Sequence, residues 1–223
     1  MEKYQNINIL YEDNHLLVVH KPANIPTCED SSKDKDLLTI MKEYIKEKYQ
    51  KPGNVYLGLI HRLDRPTEGI IIFAKTSKAA LRLSKQINNK EFIKTYYAIV
   101  EGNPKEGTFK DYLYKDEKTN TSKVTTKDNG KEAILEYTTL NTKDNLSLVK
   151  INLLTGRHHQ IRVQFSSRNY PLYGDHRYNQ KFINDNKENL ALIAKELSFY
   201  HPITKELLHF EIDLPKKYPY TLF

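Results

Sequence analysis

Two short apolar runs on either side of a highly polar turn place the strongest constraint on how this chain can fold. The runs cover residues 55–60 and 70–74, and both predict buried β-strands. Between them lies the sequence HRLDRPTEG, in which Pro66 and Gly69 favour a tight connection. The chain therefore has to hold a charged turn between two ordered strands.

The turn contains a carboxylate between two cations. Asp64 lies between Arg62 and Arg65, and these neighbours should keep it ionised at neutral pH. An ionised carboxylate held in this way is suited to act as a nucleophile rather than as an acid. The competing interpretation, which the spacing alone favours, is a surface ion pair in a hairpin.

The positive charge of the chain is concentrated around this turn and in one later segment. The chain has 35 Lys and Arg against 28 Asp and Glu, a net charge of +7. Residues 61–100 have 8 basic against 3 acidic side chains and residues 156–178 have 4 against 1, which leaves −1 for the remainder. Because phosphate contacts supply most non-specific affinity for nucleic acid, the two segments predict a site for a polyanion.

Composition excludes several classes of protein. With 39% hydrophobic and 28% charged residues, the chain is expected to be globular. Cys28 is the single cysteine, so no internal disulfide can form and a cytoplasmic location is expected. No apolar run approaches the roughly 18 residues of a membrane span, and residues 1–4 lack the apolar character of a signal peptide.

Further motifs follow the turn in order and carry a resemblance to a known family. HRLDRPTEG followed by IIIFAKT resembles the signature of the RluA-type pseudouridine synthases. The other matching stretches are ILYEDNHLLVV with KPA (residues 9–23), KTYYAIV (94–100), LTGRHHQIR (154–162), PLYGD (171–175) and LSFYHP (197–202). Together these stretches span nearly the whole chain, and their order and separation resemble those of the family.

The resemblance implies a fold and a reaction. The fold would be α+β, a single catalytic domain over residues 1–223 built on a long, mainly antiparallel mixed sheet, without an N-terminal RNA-binding domain. The enzymes it resembles cleave the N-glycosidic bond of a uridine in RNA, rotate the uracil and rejoin it through carbon, without a cofactor. Asp64 would be the nucleophile, Tyr96 would stack on the base, and Arg162 would pair with Asp64. Tyr97 is the alternative to Tyr96.

The same resemblance implies a set of residues that contact RNA. Arg62 would fill the space left by a flipped uridine. The other expected RNA-binding residues are His61, Arg65, Arg157 and Gln160. The expected substrate is structured RNA, either rRNA or tRNA, and the protein is expected to be a monomer. The alternatives are an inactive RNA-binding protein and a ribosome-assembly factor with the same fold.

One departure from the family pattern bears on the nucleophile. Glu68 stands where the family usually has serine, and a second carboxylate near Asp64 would oppose its ionisation unless it is turned away. A glycosidase using Asp64 and Glu68 is disfavoured, because both lie on one short turn. No metal site is expected, since the histidines lack a ligand pattern, and no glycine-rich nucleotide loop is present.

Several secondary-structure expectations can be checked against the structure. A helix is predicted from residue 37 to 49 with Asp36 as N-cap. Another is predicted through about residue 88 with Ser77 as its cap and an inward face formed by Ala80, Leu81, Ser84 and Ile87. Residues 115–131 are expected to form a charged loop, either one that closes over a ligand or a plain surface insertion. Residues 161–165 alternate like a strand, but the resemblance implies a helix after Gly156.

Overall fold

The computed structural model describes residues 7–185 and 187–223. Residues 1–4, which were expected not to form a signal peptide, lie outside the described part. The strands are β1 (Asn8–Glu12), β2 (Leu16–Lys21), β3 (Gly58–Leu59), β4 (Glu68–Ala74), β5 (Ile93–Glu101), β6 (Gly107–Asp116), β7 (Thr121–Thr125), β8 (Lys131–Lys143), β9 (Leu146–Leu153), β10 (Leu192–Tyr200) and β11 (Leu207–Glu211). The helices are α1 (Leu37–Lys48), α2 (Ser77–Asn88) and α3 (Gln160–Ser166).

These strands form a large sheet accompanied by helices, which confirms the predicted α+β class. By its internal contacts the chain divides into two compact units. The first comprises Met1–Phe92 and Glu196–Ile212, and the second comprises Ile93–Lys195 and Asp213–Phe223. The prediction of one domain over residues 1–223 stays a prediction.

The first unit is built on antiparallel pairs of β2 with β1 and β4, a pairing of β3 with β4, and a hairpin of β10 and β11. Apolar side chains of β2 and β4 pack against one face of α1, where Leu37, Met41 and Ile45 are buried. The Asp36 carboxylate accepts a hydrogen bond from the Thr39 amide at 3.0 Å. The prediction of α1 and of its cap is therefore confirmed.

The predicted cap and inward face of α2 are both wrong by one position. The N-cap is Thr76, whose Oγ1 accepts from the Ala79 amide at 3.2 Å. The residues that α2 buries are Ala79, Leu83 and Gln86, whereas Leu81 is 73% exposed. Gln86 is drawn inward because its side chain donates to the Tyr200 carbonyl at 2.7 Å and accepts from the Tyr200 amide at 2.9 Å. The hydrophobic pattern of the helix does not indicate that a polar side chain is buried through hydrogen bonds. The face predicted from that pattern therefore differs from the buried face.

The strand predicted over residues 55–60 is shorter in the structure. Only Gly58 and Leu59 pair with β4, opposite Ala74 and Phe73, and Tyr56 is 50% exposed. Since β4 ends at Ala74, opposite Gly58, residues 55–57 lie beyond the end of that strand. Most of the predicted strand is therefore irregular backbone.

The second unit has the strand order β5-β9-β8-β6-β7, with every neighbouring pair antiparallel. The helix α3 covers one face of these strands, where the Phe165 ring lies 5.0 Å from Phe109 and 5.1 Å from Tyr137. The helix expected after Gly156 is confirmed. Its sequence resembles a strand because consecutive side chains of α3, polar and apolar alike, are all buried from Gln160 to Phe165.

The expectation of an unstructured loop over residues 115–131 is wrong. Strands β6 and β7 form a hairpin in which Tyr112 pairs with Thr125 and Asp116 pairs with Thr121. This hairpin is stabilised by its backbone ladder and by contacts outside it, and Val124 is the single apolar side chain of residues 115–125. A search for apolar periodicity therefore misses it.

Candidate active site

The loop that carries Asp64 connects β3 to β4 and is fixed at several points. The Thr67 amide donates to the Asp64 carbonyl at 3.0 Å, which closes a turn. Leu63 is buried, and its carbonyl accepts from Thr27 Oγ1 at 2.8 Å. Gly69 ends the loop with φ of 137°, a region that residues with a Cβ rarely adopt. The backbone on both sides of Asp64 is thus held, while the Asp64 side chain remains partly accessible.

Lys21 supports this loop from inside the first unit, a role that the sequence did not reveal. Its side chain is fully buried, and Nζ donates to the carbonyls of Arg65, Ile25 and Pro22 at 3.1, 2.8 and 3.0 Å. Burial lowers the pKa of Lys21 to about 7, although the charges of Asp64 and Glu68 act to raise it. The only signal in the sequence was a lysine at the end of an apolar strand, inside a stretch that matched the family.

Glu68 is directed toward a partner on β2. Its Oε1 lies 3.0 Å from Nε2 of His20, and both side chains are mostly buried. The carboxylate that replaces the family serine thus has a hydrogen-bonding partner outside the turn.

Two of the expected RNA-binding residues in the turn make contacts within the first unit. The Arg65 guanidinium bonds to Ser32 Oγ at 2.9 Å and to the Asp34 carboxylate, which fastens the polar segment of residues 28–35 to the turn. The His61 ring lies edge-on to Phe92, and its Nε2 lies 3.4 Å from the Ile72 amide. Arg62 is exposed to solvent.

Arg162 is buried in the second unit with a partner that was not predicted. Its Nε and Nη2 donate to the two oxygens of Asp175 at 2.8 and 2.7 Å. Asp175 also accepts from the amides of Arg177 and Tyr178 at 2.9 and 3.1 Å. This bidentate pair fixes the plane of the guanidinium and uses two of its five donors. Pairing of Arg162 with Asp64 stays a prediction.

Tyr96 and Tyr97 lie on opposite faces of β5, as neighbouring strand residues must. Tyr96 is buried and pairs with Ile151, which in turn pairs with Tyr137, a side chain in contact with α3. Tyr96 therefore shares the face of the sheet that α3 covers. The ring of Tyr97 is instead approached by the ammonium groups of Lys150 and Lys195, at 5.8 and 5.2 Å.

The two expected RNA-binding residues near α3 differ in exposure. Gln160 is buried, and its side chain bonds to Thr155 Oγ1 at 2.7 Å, the Arg157 amide at 3.0 Å and the Ile134 carbonyl at 3.1 Å. This placement points to a role in holding the loop rather than in touching RNA. Arg157 is exposed, with its Nε donating to the Glu132 carbonyl at 2.8 Å.

Within residues 7–185 and 187–223, no three His, Cys, Asp or Glu side chains cluster in a way that could hold a metal ion. No helix in that part of the chain is long and apolar enough to cross a membrane.

Comparison with known proteins identifies the family. Residues 15–167 match the family described as RNA pseudouridylate synthase. The chain is 36% identical over 220 residues to an uncharacterised RNA pseudouridine synthase of Bacillus subtilis, YhcT, covering 96% of this chain and 70% of that protein. It is 32% identical over 221 residues to the ribosomal large subunit pseudouridine synthase D of Zymomonas mobilis, covering 94% and 70%.

The fold is also similar to a solved structure, human RNA pseudouridylate synthase domain containing 4. The TM-score is 0.77 at 22% identity, with 94% of this chain and 89% of that chain covered. The family match covers the turn of residues 61–69, and the two sequence relatives align over nearly all of this chain. The chain belongs to the RNA pseudouridylate synthase family.

Proposed function

We propose that this protein isomerises uridine to pseudouridine in structured RNA, with Asp64 as the nucleophile. The observation that carries the proposal is the loop held by Lys21 and Thr27, which presents a partly accessible carboxylate on a fixed backbone. Such a group is already in place for attack, which avoids the cost of ordering it during the reaction. Asp64 forms a transient bond to the uridine, at the ribose or at the base, and the N1–C1′ bond breaks. After the uracil rotates, a C5–C1′ bond forms and the bond to Asp64 is broken again. The C5 proton leaves and N1 gains a proton, so the product is an isomer of the uridine.

Tyr96 and Arg162 complete the proposed catalytic set. Tyr96 would stack on the uracil, and its phenol is suited to assist removal of the C5 proton. The shared face of Tyr96 and α3 supports this choice over Tyr97. Arg162 would hold the Asp64 carboxylate, and its fixed pairing with Asp175 supports a positioned rather than a mobile guanidinium.

Arg62 would occupy the space of the flipped uridine, and its exposure supports this role. Arg157 is also exposed and is suited to bind phosphate. His61, Arg65 and Gln160 would act on RNA indirectly, since each bonds within its own unit. His61 and Arg65 would hold the Asp64 loop in shape, and Gln160 would hold the loop that precedes α3.

The substrate would be rRNA or tRNA, with rRNA supported by the name of the Zymomonas mobilis relative. We expect the enzyme to act in the cytoplasm and as a monomer. The concentration of basic residues in segments 61–100 and 156–178 supports a polyanionic partner.

The test is Asp64→Asn, which removes the nucleophile at almost constant volume. Pseudouridine in total RNA would be mapped in cells with the wild-type protein, with Asp64→Asn and with neither, and the mapped sites would be transcribed for assays in vitro. Sites that depend on the wild-type protein should be lost with Asp64→Asn, and RNA affinity should be retained. Turnover by Asp64→Asn above about 5% of the wild-type rate would refute the assignment of Asp64 as the nucleophile. An unchanged map in cells without the protein would favour the RNA-binding alternative.

A further inference from the structure

Tyr178 makes contacts that the proposed chemistry does not explain. Its hydroxyl accepts from the Ser122 amide of β7 at 2.7 Å and lies 2.7 Å from Nδ1 of His159, the residue that precedes α3. Its ring lies beneath Arg162, with the guanidinium carbon 5.1 Å from the ring centroid. One side chain thus touches the β6–β7 hairpin, the start of α3 and the proposed catalytic arginine.

The hydroxyl of Tyr178 is used both as acceptor and as donor. Burial lowers the pKa of His159 to about 2, and the charge of Arg162 adds to this effect, so the imidazole is neutral. A neutral imidazole can accept the single hydroxyl proton at Nδ1 while the hydroxyl oxygen accepts from Ser122. These two bonds fix where the ring lies.

The backbone of His159 provides a second sign that this contact is enforced. His159 adopts φ of 53°, a left-handed conformation that is uncommon for residues other than glycine. Such a conformation persists only when surrounding contacts hold it. Two contacts hold His159: its bond to Tyr178, and the stacking of the His159 ring on the His158 ring at 3.7 Å between centroids.

The main chain of Tyr178 is tied to the same arginine. Its amide donates to Oδ1 of Asp175 at 3.1 Å, and this is the oxygen that receives Nη2 of Arg162 at 2.7 Å. Its carbonyl accepts from Ser166 Oγ, at the end of α3, at 2.8 Å. Tyr178 therefore constrains Arg162 directly through the ring and indirectly through Asp175.

We infer that Tyr178 is a positioning residue for Arg162, with its ring supporting the guanidinium and its hydroxyl anchoring that ring between the β6–β7 hairpin and His159. The inference rests on the proposed function, because it gives Arg162 a catalytic role. Under it, the hairpin that was expected to be a mobile loop is a fixed support for the active site.

Two substitutions separate the ring from the hydroxyl. Tyr178→Phe keeps the ring and removes both hydroxyl bonds, so the single-turnover rate at saturating RNA should fall by about three- to tenfold. Tyr178→Leu also removes the ring beneath the cation, so the rate should fall by about thirtyfold or more. RNA affinity should stay within about twofold of wild type in both variants, since neither removes a phosphate contact.

A matched control is available on the same hairpin. Tyr114→Phe makes the same atomic change on an exposed tyrosine of β6 and should leave the rate unchanged. All rates would be measured well below the unfolding temperature of each variant, so that every enzyme is folded. Equal rates for wild type, Tyr178→Phe and Tyr178→Leu would overturn the inference.

A double-substitution cycle tests whether the effect passes through Arg162. If Tyr178 acts by positioning Arg162, then Tyr178→Leu should cost little further rate once Arg162→Ala is present. Arg162→Lys keeps a cation against Asp175 and replaces Arg162→Ala in the cycle if the alanine variant does not fold. Fully additive losses would overturn the role of Tyr178 and leave the catalytic role of Arg162 intact. A wild-type rate for the Arg162 variant would overturn both that role and the inference.

Discussion

Arg162 and Asp175 form a bidentate ion pair whose two side chains are only 4% and 0% exposed. Nothing in the spacing of the sequence connects these residues, which are 13 positions apart and lie on a helix and in the segment beyond it. The structure shows that the guanidinium of the proposed catalytic arginine is held by the Asp175 carboxylate. That carboxylate is fixed in turn by the amides of Arg177 and Tyr178.

Asp175→Asn should therefore destabilise the protein and also impair catalysis. Removing one partner of a buried pair leaves an uncompensated charge, which costs about 3–5 kcal/mol. Urea unfolding would measure that loss, and single-turnover rates would measure the misplacement of Arg162. Asp111→Asn is the control, because it breaks the more exposed pair with Arg168, and it should cost less stability and leave the rate near wild type. Equal stability losses for the two variants would contradict the prediction.

Lys21 should make the stability of the protein depend on pH in the alkaline range. Because its pKa falls from 10.5 to about 7 on folding, the unfolded chain binds more protons between those pH values. Stability should then rise with pH from about 7 to about 10, relative to a variant in which this group cannot titrate. The comparison is the pH dependence of urea unfolding for wild type and Lys21→Met, and parallel curves would argue against a perturbed lysine.

The same substitution should slow the reaction, because the Arg65 carbonyl loses a donor beneath the Asp64 loop. Thr27→Val removes the hydrogen bond from Thr27 to the Leu63 carbonyl, the second support of the loop, and should also slow the reaction. The RNA affinity of both variants should stay near that of wild type, since neither side chain reaches the surface. A loss of RNA affinity with an unchanged single-turnover rate would show that the contacts of Lys21 and Thr27 serve RNA binding instead.

Glu12 should contribute stability that disappears in acid. Burial alone would raise its pKa, but hydrogen bonds from Lys48, Lys75, Tyr49 and Tyr44 outweigh burial and lower the pKa to about 2. The folded-state pKa is thus below the ordinary value of 4.5, so this stability is complete above about pH 4.5 and is lost as the pH falls toward 2. Glu12→Gln should be less stable than wild type by about 1–3 kcal/mol at pH 7, with the gap closing below pH 3.

Thermal unfolding between pH 2.5 and 7 would measure this difference. Glu43→Gln provides the control, because Glu43 forms an exposed pair with Lys35 and its loss should change stability by less than about 1 kcal/mol at every pH. A gap for Glu12→Gln that stays constant with pH would mean that the carboxylate charge is not what stabilises the network.

The sequence predicted the Asp64 turn, the strand β4 that follows it and the helix α1, because their signals are local. Pro66 and Gly69 shape the turn, the apolar residues 70–74 mark β4, and the carboxylate of Asp36 caps α1. Each of these features depends on residues close together in the chain. The match to the family added the helix α3, which the alternation of residues 161–165 hid.

The sequence could not predict the supports of the site, because they depend on long-range polar contacts. Lys21 reaches the Arg65 carbonyl 44 residues away, and Tyr178 meets Ser122 56 residues away. Neither contact leaves a periodic pattern. The β6–β7 hairpin was missed for a related reason. Its backbone pairing and the bonds of Ser122 to Tyr178 and His158 hold residues 115–125, where Val124 is the single apolar side chain.

Arg62 and Arg162 should be separable by the shape of the substrate. Arg162 is buried and serves the carboxylate under the proposed mechanism, so Arg162→Lys should reduce single-turnover rates equally on a stem-loop and on a linear oligomer. Arg62 is exposed, and a guanidinium that replaces a flipped uridine in the stack is needed only where a stack exists. Arg62→Ala should lose about 1–3 kcal/mol of transition-state stabilisation on the stem-loop, the scale of one stacking contact, and noticeably less on the linear substrate. Arg62→Lys should rescue poorly, because an ammonium lacks the planar face that stacks, and equal losses by Arg62→Ala on the two substrates would refute the flipping role.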